Sequence, residues 1–245
     1  FKGIIDLAAG PDHIIDYKTG RSKRAATEII RQALPAVRVN QVDVQPLLYL
    51  AAWRAFNSGP LQFQYFYCLA NHRDIIEQRE DPADNSITIH YIPHTFNEYL
   101  AAEPQVLGAA SQGRLAFMEK AGLDVFQAFF KTHPLPVELQ FDRAALLAAS
   151  IHTALEEAIT SALGKTNKTI VRNVEGVLKA AVDLRTGTRC EPHFFREDLD
   201  EFETIVTDAL GRINGGLQDR FAFDPLTPDT CRDCEAASYC LRGQS

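Results

Sequence analysis

The sequence predicts an α/β fold with a helical insertion and a C-terminal cysteine cluster. Three observations carry this expectation. Strand-like apolar runs alternate with helix-period segments over residues 1–94, residues from about Thr95 to Ala181 are helical and Ala-rich without a fixed repeat, and Cys231, Cys234 and Cys240 close the chain at C-x2-C-x5-C. At 245 residues, 46% hydrophobic and 23% charged, the chain can bury a substantial core. No apolar run reaches the roughly 18 residues of a membrane span and no basic-plus-apolar leader precedes the first motif, so a cytoplasmic protein with no membrane partner is expected. A net charge of −7 argues against a protein that coats nucleic acid through a broadly basic surface.

The first two strand-like runs are Gly3–Ala8 and His13–Gly20, and the Gly10-Pro11-Asp12 link can fold them into a hairpin. Around Ala25, Ala26, Ile29, Ile30 and Leu34 the apolar spacing predicts a short helix ending before Pro35. Asn40 with Asp43 reads as an N-terminal cap opening a second helix through about Phe56, which Asn57-Ser58-Gly59-Pro60 stops. Gln62–Leu69 and Ser86–Ile92 are aromatic or β-branched strands, with Cys68 read as a core strand residue. The last amphipathic helix is expected from about Glu197 to Leu217. Gly164-Lys165-Thr166 looks like the end of a phosphate-binding loop, but Ile159 stands where the earlier glycine belongs, and a chance match is the better account.

Chemistry concentrates in the hairpin. Each strand carries one carboxylate in an apolar run, Asp6 and Asp16, and Lys18 follows Asp16 by two residues. Side chains alternate along a strand, so Asp16 and Lys18 share a face. Phosphodiester hydrolysis needs a nucleophile from water, neutralised phosphoryl oxygens and help for the leaving alkoxide, and a divalent cation held by carboxylates can serve all three. Asp6 and Asp16 are the candidate metal ligands with the Tyr17 carbonyl as a further oxygen donor, and Mg²⁺, which keeps several waters, needs few protein anchors. Lys18 can then touch the scissile phosphate or the attacking water. Asp-x-Lys alone is weak evidence, because Asp-Tyr-Lys-Thr-Gly also suits an ordinary exposed hairpin edge. From Lys18 to Arg38, Lys18, Arg21, Lys23, Arg24, Arg31 and Arg38 face one acid, Glu28. By itself that is a solvated helix face; beside a metal site it reads as a phosphate-backbone track.

Gly-x-Ile-Asp, then Ile-Asp-Tyr-Lys-Thr-Gly, then Gln45-Pro46-Leu47-Leu48-Tyr49 together resemble the PD-(D/E)XK nuclease superfamily in its RecB-like branch. The resemblance implies a restriction-endonuclease-like mixed sheet flanked by helices, with Asp6, Asp16, Lys18, Gln45 and Tyr49 as the active-site set. Gln45 and Tyr49 stand four apart, on one helix face. The cofactor implied is Mg²⁺ or Mn²⁺. Members of this branch usually carry a further metal-binding histidine or glutamate on an upstream helix, and none of the seven histidines precedes Asp6. With Phe1-Lys2-Gly3 running straight into the first strand, a fragment of a longer polypeptide is expected.

Three close cysteines in a cytoplasmic-type chain point to metal rather than disulfides, with zinc or an iron–sulfur cluster as candidates. Cys231, Cys234 and Cys240 look like the C-terminal staple of AddB-type nucleases, and that resemblance favours a [4Fe–4S] cluster over zinc. It also places the fourth ligand upstream, with Cys190 and His193 as local substitutes.

The leading expectation is a metal-dependent deoxyribonuclease, an exonuclease acting on DNA ends in repair or recombination. The resemblance implies single-stranded DNA ends and a helicase subunit or domain as partners. The DNA would lie against Arg21, Lys23, Arg24 and Arg31. Residues 1–94 would form the nuclease core, 95–181 the helical insertion, and 182–245 a C-terminal helix and cysteine cluster closing onto the core. The alternatives are a catalytically silent DNA-binding or scaffolding module and a zinc-stapled interaction domain.

Overall fold

Alternation fixes the middle of the sheet. Leu61, Phe63, Tyr65 and Tyr67 are buried while Gln62, Gln64 and Phe66 are partly or fully exposed, and Ile87, Ile89 and Tyr91 alternate in the same way with Ser86, Thr88 and His90. The structure is a computed structural model that describes residues 6–19, 25–33, 44–68, 85–102, 120–164 and 168–218. Among them, five strands form one sheet in the order β1-β2-β3-β4-β5. These are β1 (Leu7–Ala8), β2 (His13–Lys18), β3 (Leu61–Tyr67), β4 (Ser86–Ile92) and β5 (His193–Phe195). The β1–β2 and β3–β4 pairs are antiparallel; β2–β3 and β4–β5 are parallel. This is the mixed sheet the sequence leads one to expect, with β5 as an addition.

Parallel neighbours need a long crossover. The first runs through α1 (Ala26–Ala33) and α2 (Gln45–Arg54). The second runs through α3 (Phe96–Ala102), α4 (Lys120–Thr132), α5 (Arg143–Ala148), α6 (Ser150–Leu163) and α7 (Lys168–Thr186). The last helix, α8, spans Arg196–Gln218. Two compact units divide the chain at Phe202–Glu203; in the second, the described residues are the α8 residues from Glu203 onward.

One sheet face carries Ile14, Asp16, Phe63, Tyr65 and Ile89 by register, and α2 lies over it, with the Tyr49 ring stacked 5.8 Å from that of Phe63. At the β5 end the opposite face is covered by helices: Phe195 packs against Phe96 at 5.1 Å and Tyr99 at 5.6 Å in a core shared with Phe126, Leu155 and Leu178. Arg185 is buried in this core. It forms a two-pronged pair with Asp198 and lies over the rings of Phe96, Phe141 and Phe195. The α3 start is a capping box, Thr95 and Glu98 exchanging backbone and side-chain bonds, with Glu197 also accepting from Phe96 N–H.

Two sequence expectations need correction, the start of α2 and the burial of Cys68. Helix α2 begins at Gln45 with Val44 at the cap position and no side-chain cap, because Pro46 in the first turn presets the helical φ there; the expected cap, Asn40 to Asp43, lies outside the described residues. Cys68 is exposed, since it follows buried Tyr67 by one residue and alternation turns it outward. Gly164 of the Gly-Lys-Thr sequence closes α6 in the left-handed conformation (φ 62°), so a helix stop accounts for the glycine there.

Candidate active site

The hairpin register sets the two carboxylates against each other. Leu7 pairs with Ile15 and Ala8 with Ile14, so one further step places Asp6 across from Asp16. The Asp6 Oδ2 accepts the Tyr17 N–H at 2.8 Å, which ties the strand entrance to β2. In an extended strand the N–H and C=O of one residue point to the same edge. Lys18 O accepts from Cys68 N on the β3 side, so the Tyr17 carbonyl opens toward the β1 side, where Asp6 stands.

Asp16 is buried, and its Oδ2 meets the Lys18 ammonium at 2.7 Å without hydrogen-bond alignment. Lys18 Nζ donates to Gln45 Oε1 at 2.5 Å, bridging β2 to the first turn of α2. Beneath it the Tyr65 ring lies 4.6 Å from Nζ, and the Tyr65 hydroxyl approaches Gln45 Oε1 at 3.5 Å. One turn along α2, Tyr49 sits near both carboxylates; burial, then Asp16, then Asp6 raise its hydroxyl above the ordinary tyrosine pKa, which keeps it a protonated donor.

Asp6, Asp16, Lys18, Gln45 and Tyr49 are therefore gathered where the C-terminal end of β2 meets the start of α2. Arg21, Lys23 and Arg24 lie outside the described residues, as does the Arg31 side chain, although Arg31 itself belongs to α1. Cys231, Cys234 and Cys240 also lie outside them. Of the local substitutes, His193 is buried in β5 against His90, and burial pushes the Cys190 thiol up to about 11. Tyr65 is the contributor that sequence reasoning missed. Its signal was available: an aromatic with a polar tip on the buried face of β3, two residues from Phe63 and Tyr67.

The donor set suits a hard divalent cation. Two carboxylates and a carbonyl are oxygen ligands, and a buried carboxylate oxygen lacking an aligned donor has capacity to spare. Among the described residues no third His, Cys, Asp or Glu converges on them, so water would complete the shell.

Acidic oxygens across a strand pair, with a lysine anchored beside them on a mixed sheet, are the parts of a metal-assisted phosphodiesterase. The chain belongs to the PD-(D/E)XK nuclease superfamily, whose family model matches residues 1–241. Members of that superfamily are typically nucleases that commonly use Mg²⁺ or Mn²⁺. Comparison with curated proteins and with solved structures gives no match. No helix among the described residues is long and apolar enough to cross a membrane.

Proposed function

We propose that this protein is a Mg²⁺- or Mn²⁺-dependent deoxyribonuclease that hydrolyses DNA from single-stranded ends during repair or recombination, in the cytoplasm and alongside a helicase subunit or domain. Residues 1–94 are assigned the catalytic core, 95–181 an insertion and 182–245 its C-terminal closure. The observation that carries the reading is the Lys18 ammonium held between Asp16 and Gln45, with Asp6 in register opposite Asp16.

Asp6, Asp16 and the Tyr17 carbonyl would hold the cation, which when bound neutralises phosphoryl charge and lowers the pKa of water. Lys18, fixed by Gln45 Oε1 and the Tyr65 face, is pre-aimed at the phosphoryl oxygens or the attacking water, so little reorganisation is needed as charge develops. Tyr49 contributes a hydrogen bond from a hydroxyl that stays protonated. Arg21, Lys23, Arg24 and Arg31 supply the positive track for the DNA backbone, on the strength of their clustering in sequence. A [4Fe–4S] cluster on Cys231, Cys234 and Cys240 rests on their spacing, which suits zinc or iron–sulfur, and on the resemblance to AddB-type nucleases, which favours iron–sulfur.

The test is cleavage of end-labelled single-stranded DNA in Mg²⁺ by the parent and by Asp16→Ala. The parent shortens the strand from one end and the variant does not; a variant as fast as the parent overturns the assignment. Binding without cleavage by the parent would instead assign the silent DNA-binding module. Broad visible absorbance that Cys234→Ser removes supports the cluster, whereas a colourless zinc protein refutes it.

A further inference from the structure

A cavity of about 500 Å³ opens at the other end of the sheet from the candidate active site, lined among others by Asp12, Gln62, His90, His94, His193 and Tyr99. Gln62 pairs with His13, whereas Asp16 and Lys18 pair with Tyr65 and Tyr67. The cavity therefore begins three to five residues down the strands, about 10–17 Å at roughly 3.3 Å per residue. Alternation also turns Gln62, His90 and His193 to the face away from Asp16. Neither the hairpin carboxylates nor Lys18 reaches it. Its volume falls in the range of small-molecule sites.

Its chemistry is specific. The His90 and His193 rings stack with centroids 4.7 Å apart and planes 22° from parallel, a π-stack whose outer face a further flat ring could extend. His193 Nδ1 faces the Glu191 carbonyl at 2.9 Å; a carbonyl only accepts, so Nδ1 carries the proton and Nε2 is an acceptor. His90 Nε2 is taken by the Glu191 carboxylate at 2.5 Å. Each bond engages one ring nitrogen and leaves the other available, and no metal-ligand group of three forms among the described residues. Asp12 adds a carboxylate and Gln62 an amide that both donates and accepts. No Lys or Arg stands among the described lining residues, so nothing there neutralises a phosphate or a carboxylate. The fitting occupant is flat, aromatic and not anionic, and it brings hydrogen-bond donors to an acceptor-rich lining.

We propose that this cavity binds a nucleobase bearing an exocyclic amino group, presented either by a free nucleoside or by a base of single-stranded DNA whose phosphates stay in solvent. The choice of a nucleobase among flat amino heterocycles leans on superfamily membership and is independent of whether the hairpin site cleaves.

The experiment is equilibrium dialysis of labelled adenosine, cytidine and thymidine against the full chain in EDTA, so that no cleavage intervenes. Trp53, the chain's one tryptophan, donates to the Pro11 carbonyl at 2.6 Å beside Asp12, and its emission is a second readout. Adenosine and cytidine should saturate, while thymidine, which has no amino donor, should bind at least about tenfold more weakly. Gln62→Leu and Asp12→Asn should each weaken adenosine binding without lowering the melting temperature, because Gln62 and Asp12 are exposed. Asp16→Ala should bind as the parent does, which separates this site from the nuclease reading. Failure of adenosine and cytidine to saturate, equal binding of thymidine, insensitivity to both cavity variants, or loss of binding in Asp16→Ala overturns the proposal. Competition by an oligo-deoxyadenylate assigns the site to a strand's base, and its absence assigns it to the free nucleoside.

Discussion

Replacing Lys18 with methionine keeps the side-chain length and removes the charge, leaving buried Asp16 without its cation. At the 2.7 Å separation the bare Coulomb attraction is about 1.5 kcal/mol in the dielectric of water and about 6 kcal/mol at an effective dielectric near 20. The Lys18 side chain is 29% exposed and Asp16 only 8%, so one partner is screened and both have lost some hydration. The net loss is expected near the lower figure, about 2 kcal/mol once the Gln45 bond is included. Urea unfolding in EDTA measures it. The same substitution removes a preorganised donor from the reacting phosphate, which lowers cleavage by about 10²–10³-fold. End-labelled single-stranded DNA in Mg²⁺, with the rate taken at saturating substrate, reads that loss. A Lys18→Met protein that cuts as fast as the parent refutes the role given to Lys18. One that unfolds at the parent's urea midpoint in EDTA refutes the Asp16–Lys18 coupling.

Other consequences follow from the same geometry. Tyr65→Leu removes the ring under Lys18 and should lower kcat by about tenfold with KM little changed, while Tyr65→Phe, which keeps the ring and gives up the 3.5 Å approach to Gln45, should rescue most of it. Burial, and then His90, depress the His193 pKa to about 3 from 6.5, so the unfolded chain takes up this proton first as pH falls. Stability is full above about pH 6.5 and is lost below it, by about 2 kcal/mol at pH 5; His193→Gln should flatten this part of the pH profile of urea unfolding. Arg185→Met strands the buried Asp198 carboxylate and should cost about 3–5 kcal/mol, read by thermal or urea unfolding.

Much of the fold was legible because the signals are local. The β3 and β4 alternation, the hairpin link and the α8 periodicity each lie within one short window, and the strands and helix stand where these signals put them. The three-residue β5 was not legible, since His193-Phe194-Phe195 is too short to show a period and is a strand only through its parallel pairing with β4. The candidate site divides similarly. Asp16 and Lys18 share a face by alternation, and Gln45 and Tyr49, singled out by the family resemblance, share one by helical spacing, but Tyr65 depends on the parallel register that pairs it with Asp16. Cys68 misled because an apolar residue at the end of an aromatic run reads as core, while its parity relative to Tyr67 turns it outward.

The hairpin register also gives the proposed cation a role in the stability of the site. Like charges directly opposite on paired strands destabilise them, and the β1–β2 pairing holds Asp6 opposite Asp16 with the Lys18 ammonium against Asp16 among the described residues. Among the described residues the metal-free centre thus carries more negative than positive charge, which nothing in the hairpin's own stability favours. Asp6→Asn tests this directly, because the amide oxygen can still accept the Tyr17 N–H that Asp6 Oδ2 accepts now. In EDTA the variant should melt no lower than the parent. In Mg²⁺ the parent should gain stability, by about 2.7 kcal/mol at a hundredfold excess over its Kd, and the variant should gain little. A variant that melts lower in EDTA and is stabilised by Mg²⁺ as strongly as the parent would show that Asp6 is only a hairpin tether, with the cation held elsewhere.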